Sequence, residues 1–412
     1  MIKGIKSYLH NKSWQTFFFE ISTYLFVGTL PLLLKINTIA LWVFILGSLI
    51  LCVKNNDWRV NLKSKKRILW ILFALLSLYF IGLFSSKDFS AIIKQIIKTL
   101  PLLIVPLFVL SHNKGDFNLK NIYISLGIGL FVGMLICWYN ILISIMSKEK
   151  YTEQAKYFFE WIYTDWNLVA PLDGHPSYFA ILIVLFLCAL IMNENFKKLR
   201  RNRLKLALII FPYFLFLIET SSRIGVISLI IILLFYSIKK FNYKRLLGMI
   251  VLLSIVILFS IKFDYLGSKF TKVVSMDGEI KIERYHRWKE IIKVFKAENN
   301  WLLGVGPSDA RKIYKSAYDN GNFDLAFNNN YNAHNQYLEF FISNGIVGFL
   351  VYLTVLGLFL FETRLKKEAL NFFIVIVLFS MTESVFGRSQ GVLIFAFFYS
   401  FLILYYQPKI EK

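Results

Sequence analysis

Residues 176–193, PSYFAILIVLFLCALIMN, carry no charged side chain over a stretch that, wound as a helix, approaches the depth of a bilayer's hydrocarbon core. Comparable apolar runs occur at 15–34, 38–53, 68–84, 91–110, 122–146, 205–219, 223–238, 246–262, 335–361, 369–386 and 389–406. Together they predict an all-α membrane protein with about twelve transmembrane helices. Composition agrees: 57% of the 412 residues are hydrophobic and 41 are Phe, above the roughly 45–50% apolar content of soluble domains. Cys52, Cys137 and Cys188 lie in or beside these runs without metal-ligand or paired spacing, and read as small core residues. Lys3, Lys6 and Lys12 precede the first run and no small-residue cleavage site follows it, so an uncleaved first span is expected.

A net charge of +22 raises the question of nucleic acid, but the basic residues sit in short segments between apolar runs, where they set orientation and meet anionic headgroups. Nucleic-acid binding is therefore not expected; membrane lipids are the expected partner. Lys and Arg concentrate in alternate segments, among them 54–67, 197–205 and 239–245. The short segments of the opposite side hold only Lys35, Lys87, Lys148, Lys150, Lys156, Arg223 and Arg388. That bias places both termini in the cytoplasm and the segments 147–175 and 263–334 outside. Three regions are expected: helices one to nine over 1–262, a large outer segment over 263–334, and helices ten to twelve with a cytoplasmic tail over 335–412. In the outer segment Tyr285, Trp288, Ile291, Ile292 and Phe295 recur at helical spacing, predicting an amphipathic helix on the membrane surface. A second short helix should follow Pro307 and Ser308, and the Asn-rich stretch 320–335 reads as a flexible crossing back to the tenth span.

His175, His286 and His334 all fall on the outer side. His334 opens the tenth span, where a helix N-terminus favours a neutral ring able to accept a proton, although an interfacial helix-start residue would look the same. Arg223 stands in the short turn after Glu219, Ser221 and Ser222, as a phosphate ligand or a headgroup anchor. Lys94 and Lys98, one turn apart, are candidates for a pyrophosphate-binding face. His175, Arg287 and Glu383 complete the set of further candidates. There is no Asp-x-Asp pair, so neither a metal nor another cofactor is expected. GVGP at 304–307 lacks the strand and the Lys-Ser/Thr ending of a nucleotide loop, and reads as a turn.

RYHRW (284–288), WLLGVGP (301–307) and HNQYLEFFISNGIVG (334–348) resemble, in order and spacing, the signature of the O-antigen ligase and O-antigen polymerase superfamily. The resemblance is specific over 220–390 and general elsewhere. It implies a metal-independent, inverting glycosyltransferase of the bacterial inner membrane. Such an enzyme moves a glycan from an undecaprenyl-pyrophosphate carrier to an acceptor, a lipid A core or another glycan, on the periplasmic face. By position it implies His334 as the catalytic histidine and Arg223 and Arg284 as the pyrophosphate-binding arginines. Ligases, polymerases and protein O-glycosylating enzymes share these motifs. The ligase-like reading is favoured because 147–175 contains no arginine, whereas polymerases often present two arginine-rich loops. A lipid-linked oligosaccharide flippase is the rival from another class, but it should distribute charges along several spans rather than gather them at one surface.

Overall fold

The computed structural model describes residues 13–85, 89–147, 158, 161–239 and 283–407. The expected ninth span at 246–262, the beginning of the long outer segment and the basic termini lie outside the described residues. Within them the regular structure is entirely helical. The longer helices are α1 (Trp14–Thr29), α2 (Leu34–Asn55), α3 (Lys66–Ser85), α4 (Phe89–Thr99), α5 (Pro101–Leu110), α6 (Leu119–Met146) and α7 (Pro176–Met192). They continue with α8 (Arg203–Glu219), α9 (Arg223–Lys239), α10 (Glu283–Ala297), α11 (Ala310–Asn320), α12 (Gln336–Thr363), α13 (Lys367–Thr382) and α14 (Ser389–Tyr406).

Twelve spans were expected. Five helices among the described residues are long and apolar enough to cross a membrane: α2, α4 with α5, α6, α12 and α14. A sixth is reached if the bent pair Trp166–Leu172 and α7 is one span. At 16, 17 and 16 residues, α1, α8 and α13 fall short of that length.

Sequence decides which helices lie at the centre. In α7 every residue from Pro176 to Leu190 is buried, as is every residue of α14 from Gly391 to Leu404, because both are apolar on all sides and surrounded by other helices. By contrast α2 and α6 leave one face open, with Val53 82% and Ile128 60% exposed, as a lipid-facing stripe should.

One end of the bundle carries a second, smaller core. Ile291 and Phe295 of α10 pack with Ile313, Tyr314, Ala317 and Tyr318 of α11 and with Leu338 and Ile342 of α12. The periodicity of α10 was therefore read correctly, but its apolar face is covered by helices rather than laid on a membrane surface. The stretch 320–335 is likewise folded, with a short helix Asp324–Asn328 and the Tyr318 hydroxyl donating to the Asn332 carbonyl at 2.8 Å.

Helix α12 breaks at Gly345 (φ 63°, ψ −160°). The break exposes backbone groups that must find partners, and residues 301–306 supply them. Val305 N–H donates to Ile342 O (3.0 Å) and Gly306 N–H to Ser343 O (2.8 Å), while Ile346 N–H donates to Trp301 O (2.9 Å). A Cβ on Gly345 would lie 2.3 Å from the Leu302 carbonyl, so only glycine allows this approach. The motifs 301–307 and 334–348 thus interlock backbone to backbone, and GVGP is more than a connecting turn. Beyond the break, 346–363 still spans about 27 Å at 1.5 Å per residue.

Candidate active site

The site forms where α10, the start of α12 and the turn 383–388 meet. Asn335 caps α12 by accepting from Leu338 N–H at 3.0 Å. His334, just before it, takes a left-handed conformation (φ 49°), which turns its ring out of the helix path. Its N–H donates to Asn332 Oδ1 (3.1 Å), and Tyr331 meets its ring edge-on at 5.4 Å.

The first turn of α12 then grips the turn that follows α13. Glu339 Oε1 accepts from Ala333 N–H (2.9 Å) and Ser384 Oγ (3.0 Å), its Oε2 accepts from Tyr314 OH (3.0 Å), and Gln336 Oε1 accepts from Phe386 N–H (2.7 Å). Glu339 was not singled out from sequence, although an acid in the first turn of an otherwise apolar helix is a readable signal. Through this bracket Glu383, extended at the C-cap of α13, is aimed at His334: Oε2 lies 3.3 Å from Nδ1.

Arg284 and Trp288 are one helical turn apart on α10 and so share a face. Trp288 Nε1 donates to Ala333 O (2.7 Å), fixing the loop before His334. Arg284 Nη1 donates to Thr382 O (2.7 Å) and Nη2 lies 3.7 Å from Glu383 Oε1, which also accepts from Ser177 Oγ (3.0 Å). The Arg284 side chain is 39% exposed and that of Glu383 only 10%, so the arginine can face a ligand while the carboxylate works through its neighbours.

Burial on its own pushes the Glu383 carboxyl up. The hydrogen bond with His334 and the positive surroundings made by His175, His334 and Arg284 outweigh it and hold the group at about 2. An ionised carboxylate only accepts, so the His334 proton belongs on Nδ1, leaving the Nε2 lone pair to take a proton. The pairing of His334 with a carboxylate was not part of the sequence reading, which set the ring against a helix dipole.

The other candidates fall around this centre. Arg223, exposed at the start of α9, is an electrostatic neighbour of Arg284 and of Asp165. Arg287 is buried behind His334, 3.8 Å from Glu283 and over the Tyr331 ring. His175 caps α7: its Nδ1 accepts from Ser177 N–H (3.1 Å), and its ring lies 4.3 Å from Trp166. Lys98 is half-buried and donates to Gly387 O (2.9 Å), whereas Lys94 is exposed. His286 is exposed on α10 beside Tyr285. Among the described residues no group of three or more His, Cys, Asp or Glu side chains converges as metal ligands would.

Residues 206–353 match the family model described as O-antigen ligase. The matched segment contains Arg223, Arg284, His334 and Glu339, and it stops short of Glu383. No curated protein matches the chain. The resemblance carried by the three motifs therefore holds over that segment. The chain is a multi-pass membrane protein carrying an O-antigen ligase domain.

Proposed function

We propose that the protein is an O-antigen ligase-like glycosyltransferase of the bacterial inner membrane. It moves a glycan from an undecaprenyl-pyrophosphate carrier to an acceptor hydroxyl on the periplasmic face. The observation that carries this reading is the placement of His334, Glu383 and Arg284 around one buried carboxylate. His334 Nε2 takes the proton of the acceptor hydroxyl as its oxygen bonds to the anomeric carbon from the face opposite the leaving group, inverting that centre. Glu383 holds the ring through Nδ1 and stabilises the imidazolium that forms. The bond from the anomeric carbon to the pyrophosphate oxygen breaks, and the charge gathering on the leaving group is met by Arg284 and Arg223, fixed cations that suit phosphate oxygens.

The test is turnover by purified protein given a lipid-linked glycan and candidate acceptors in the presence of chelator. His334→Ala should lower kcat by about 10²- to 10⁴-fold, and Arg284→Ala and Arg223→Ala should each lose most activity while the fold is retained. Normal turnover in all three would overturn the site. Orientation is tested separately: a cysteine at Asn322 should react with an impermeant reagent from outside, and one at Arg201 only from inside.

A further inference from the structure

A cavity of about 270 Å³ opens beside the site without including its reactive groups; its walls include Leu30, Leu34, Lys98, Asp173, His175 and Arg388. Neither His334, Glu383 nor Arg284 lines it. His175 stands between the two, because its ring faces the cavity while its Nδ1 is held by Ser177, whose hydroxyl donates to Glu383.

The polar groups of the cavity divide into two sets. The amides are committed to structure: Asn37 Nδ2 donates to Phe26 O (3.0 Å) and Thr29 Oγ1 (2.9 Å), and Gln390 Nε2 to Leu30 O (3.1 Å). The charged donors have capacity beyond their structural contacts. Lys98 uses one N–H on Gly387 O, and Arg388 is exposed and lies over the Trp166 ring at 4.8 Å. Arg311 is a further cationic neighbour of Lys98, against the single acid Asp173 in the wall. The opposite wall is apolar and runs from Leu34 into the open face of α2, where Ile36, Ile39 and Trp42 are exposed.

A cationic floor joined to a lipid-facing wall suits one chemical type: an anionic phosphate on an apolar chain. We propose that this cavity is a separate subsite for the phosphate headgroup of a membrane lipid, with Lys98 and Arg388 holding the phosphate and Leu30 and Leu34 the start of the chain. The molecule then has two anion sites on either side of the His175–Ser177 wall, one at Arg284 and one at Lys98, as a protein handling two amphiphiles requires. This inference does not depend on the transferase reading, since its test measures binding and not turnover.

Native mass spectrometry of the purified protein in neutral detergent, titrated with short-chain phosphatidic acid, reads the subsite directly. Diacylglycerol of the same chains serves as the phosphate-free control. Phosphatidic acid should bind wild type, and about tenfold more weakly to Lys98→Gln and to Arg388→Gln. Arg284→Gln and His334→Ala should bind as wild type does. Because Lys98 also bonds the 383–388 turn, the exposed Arg388 is the variant that keeps the test clear of folding defects. Unchanged binding in Arg388→Gln, or loss of binding in Arg284→Gln, would overturn the proposal. Equal binding of diacylglycerol, or full competition by millimolar inorganic phosphate, would overturn it as well, the latter by showing a site for a free anion.

Discussion

Helix α13 has a buried carboxylate at each end, and the two are treated in opposite ways. Glu368, in the first turn, accepts from Asn193 Nδ2 (2.7 Å) and from the Tyr406 hydroxyl, and these partners are neutral. A carboxylate there lies at the positive end of the helix dipole, so neutral donors suffice. Glu383 lies past the last turn, at the negative end, and is surrounded by His334, Arg284 and the Ser177 hydroxyl. A charge held against the local field needs cations to keep it, and that mismatch distinguishes a working carboxylate from one that joins helices.

The comparison breaks first at Glu383→Gln. An amide cannot stabilise an imidazolium and can turn its NH₂ toward Nδ1, so kcat should fall about 10²-fold, or ~2.7 kcal/mol at 1.36 kcal/mol per decade. Unchanged turnover would make Glu383 a latch like Glu368. There is also a pH signature. The folded-state value of Glu383 is depressed, so its contribution to stability is fully present above about pH 4.5 and is lost as pH falls toward about 2. Thermal unfolding of wild type should therefore steepen with acid across that window, and the Gln variant should lack that component.

A smaller effect, on stability, is expected at the break in α12, which separates the Gln336–Glu339 bracket from the membrane-spanning part of the helix. Gly345→Ala places a Cβ against the Leu302 carbonyl at positive φ, and should cost about 2 kcal/mol, read as a lowered unfolding midpoint. Gly357→Ala, where an added Cβ meets nothing within 4 Å, is the matched control and should be neutral or slightly stabilising. Equal midpoints for the two variants would mean that the interlock with 301–306 contributes little.

This break also shows where sequence reading ends. The apolar run from 335 to 361 passes straight through Gly345, because hydropathy records the solvent of each side chain and not the path of the backbone. The face of α10 was legible from its 3.6-residue period, but a period names the apolar side without naming its cover, here α11 and α12. Arg284, Arg223 and His334 were legible because they lie in local motifs. The centrality of Glu383 was not, since Ser177 and His334 are 206 and 49 residues away from it and meet it only through the fold.

The smallest effect should come from Glu368→Gln, which tests the other half of the comparison. Glutamine keeps one acceptor oxygen, so one of the two bonds from Asn193 and Tyr406 survives and the other is replaced by a donor facing a donor. The cost should be about 1 kcal/mol of stability, with kcat and donor KM within about twofold of wild type, since no cation or reacting group depends on that charge. If Glu368→Gln instead reduced turnover as strongly as Glu383→Gln while the unfolding midpoint held, the charge at that end would have a role in the reaction. Burial against the helix field would then no longer separate the two carboxylates.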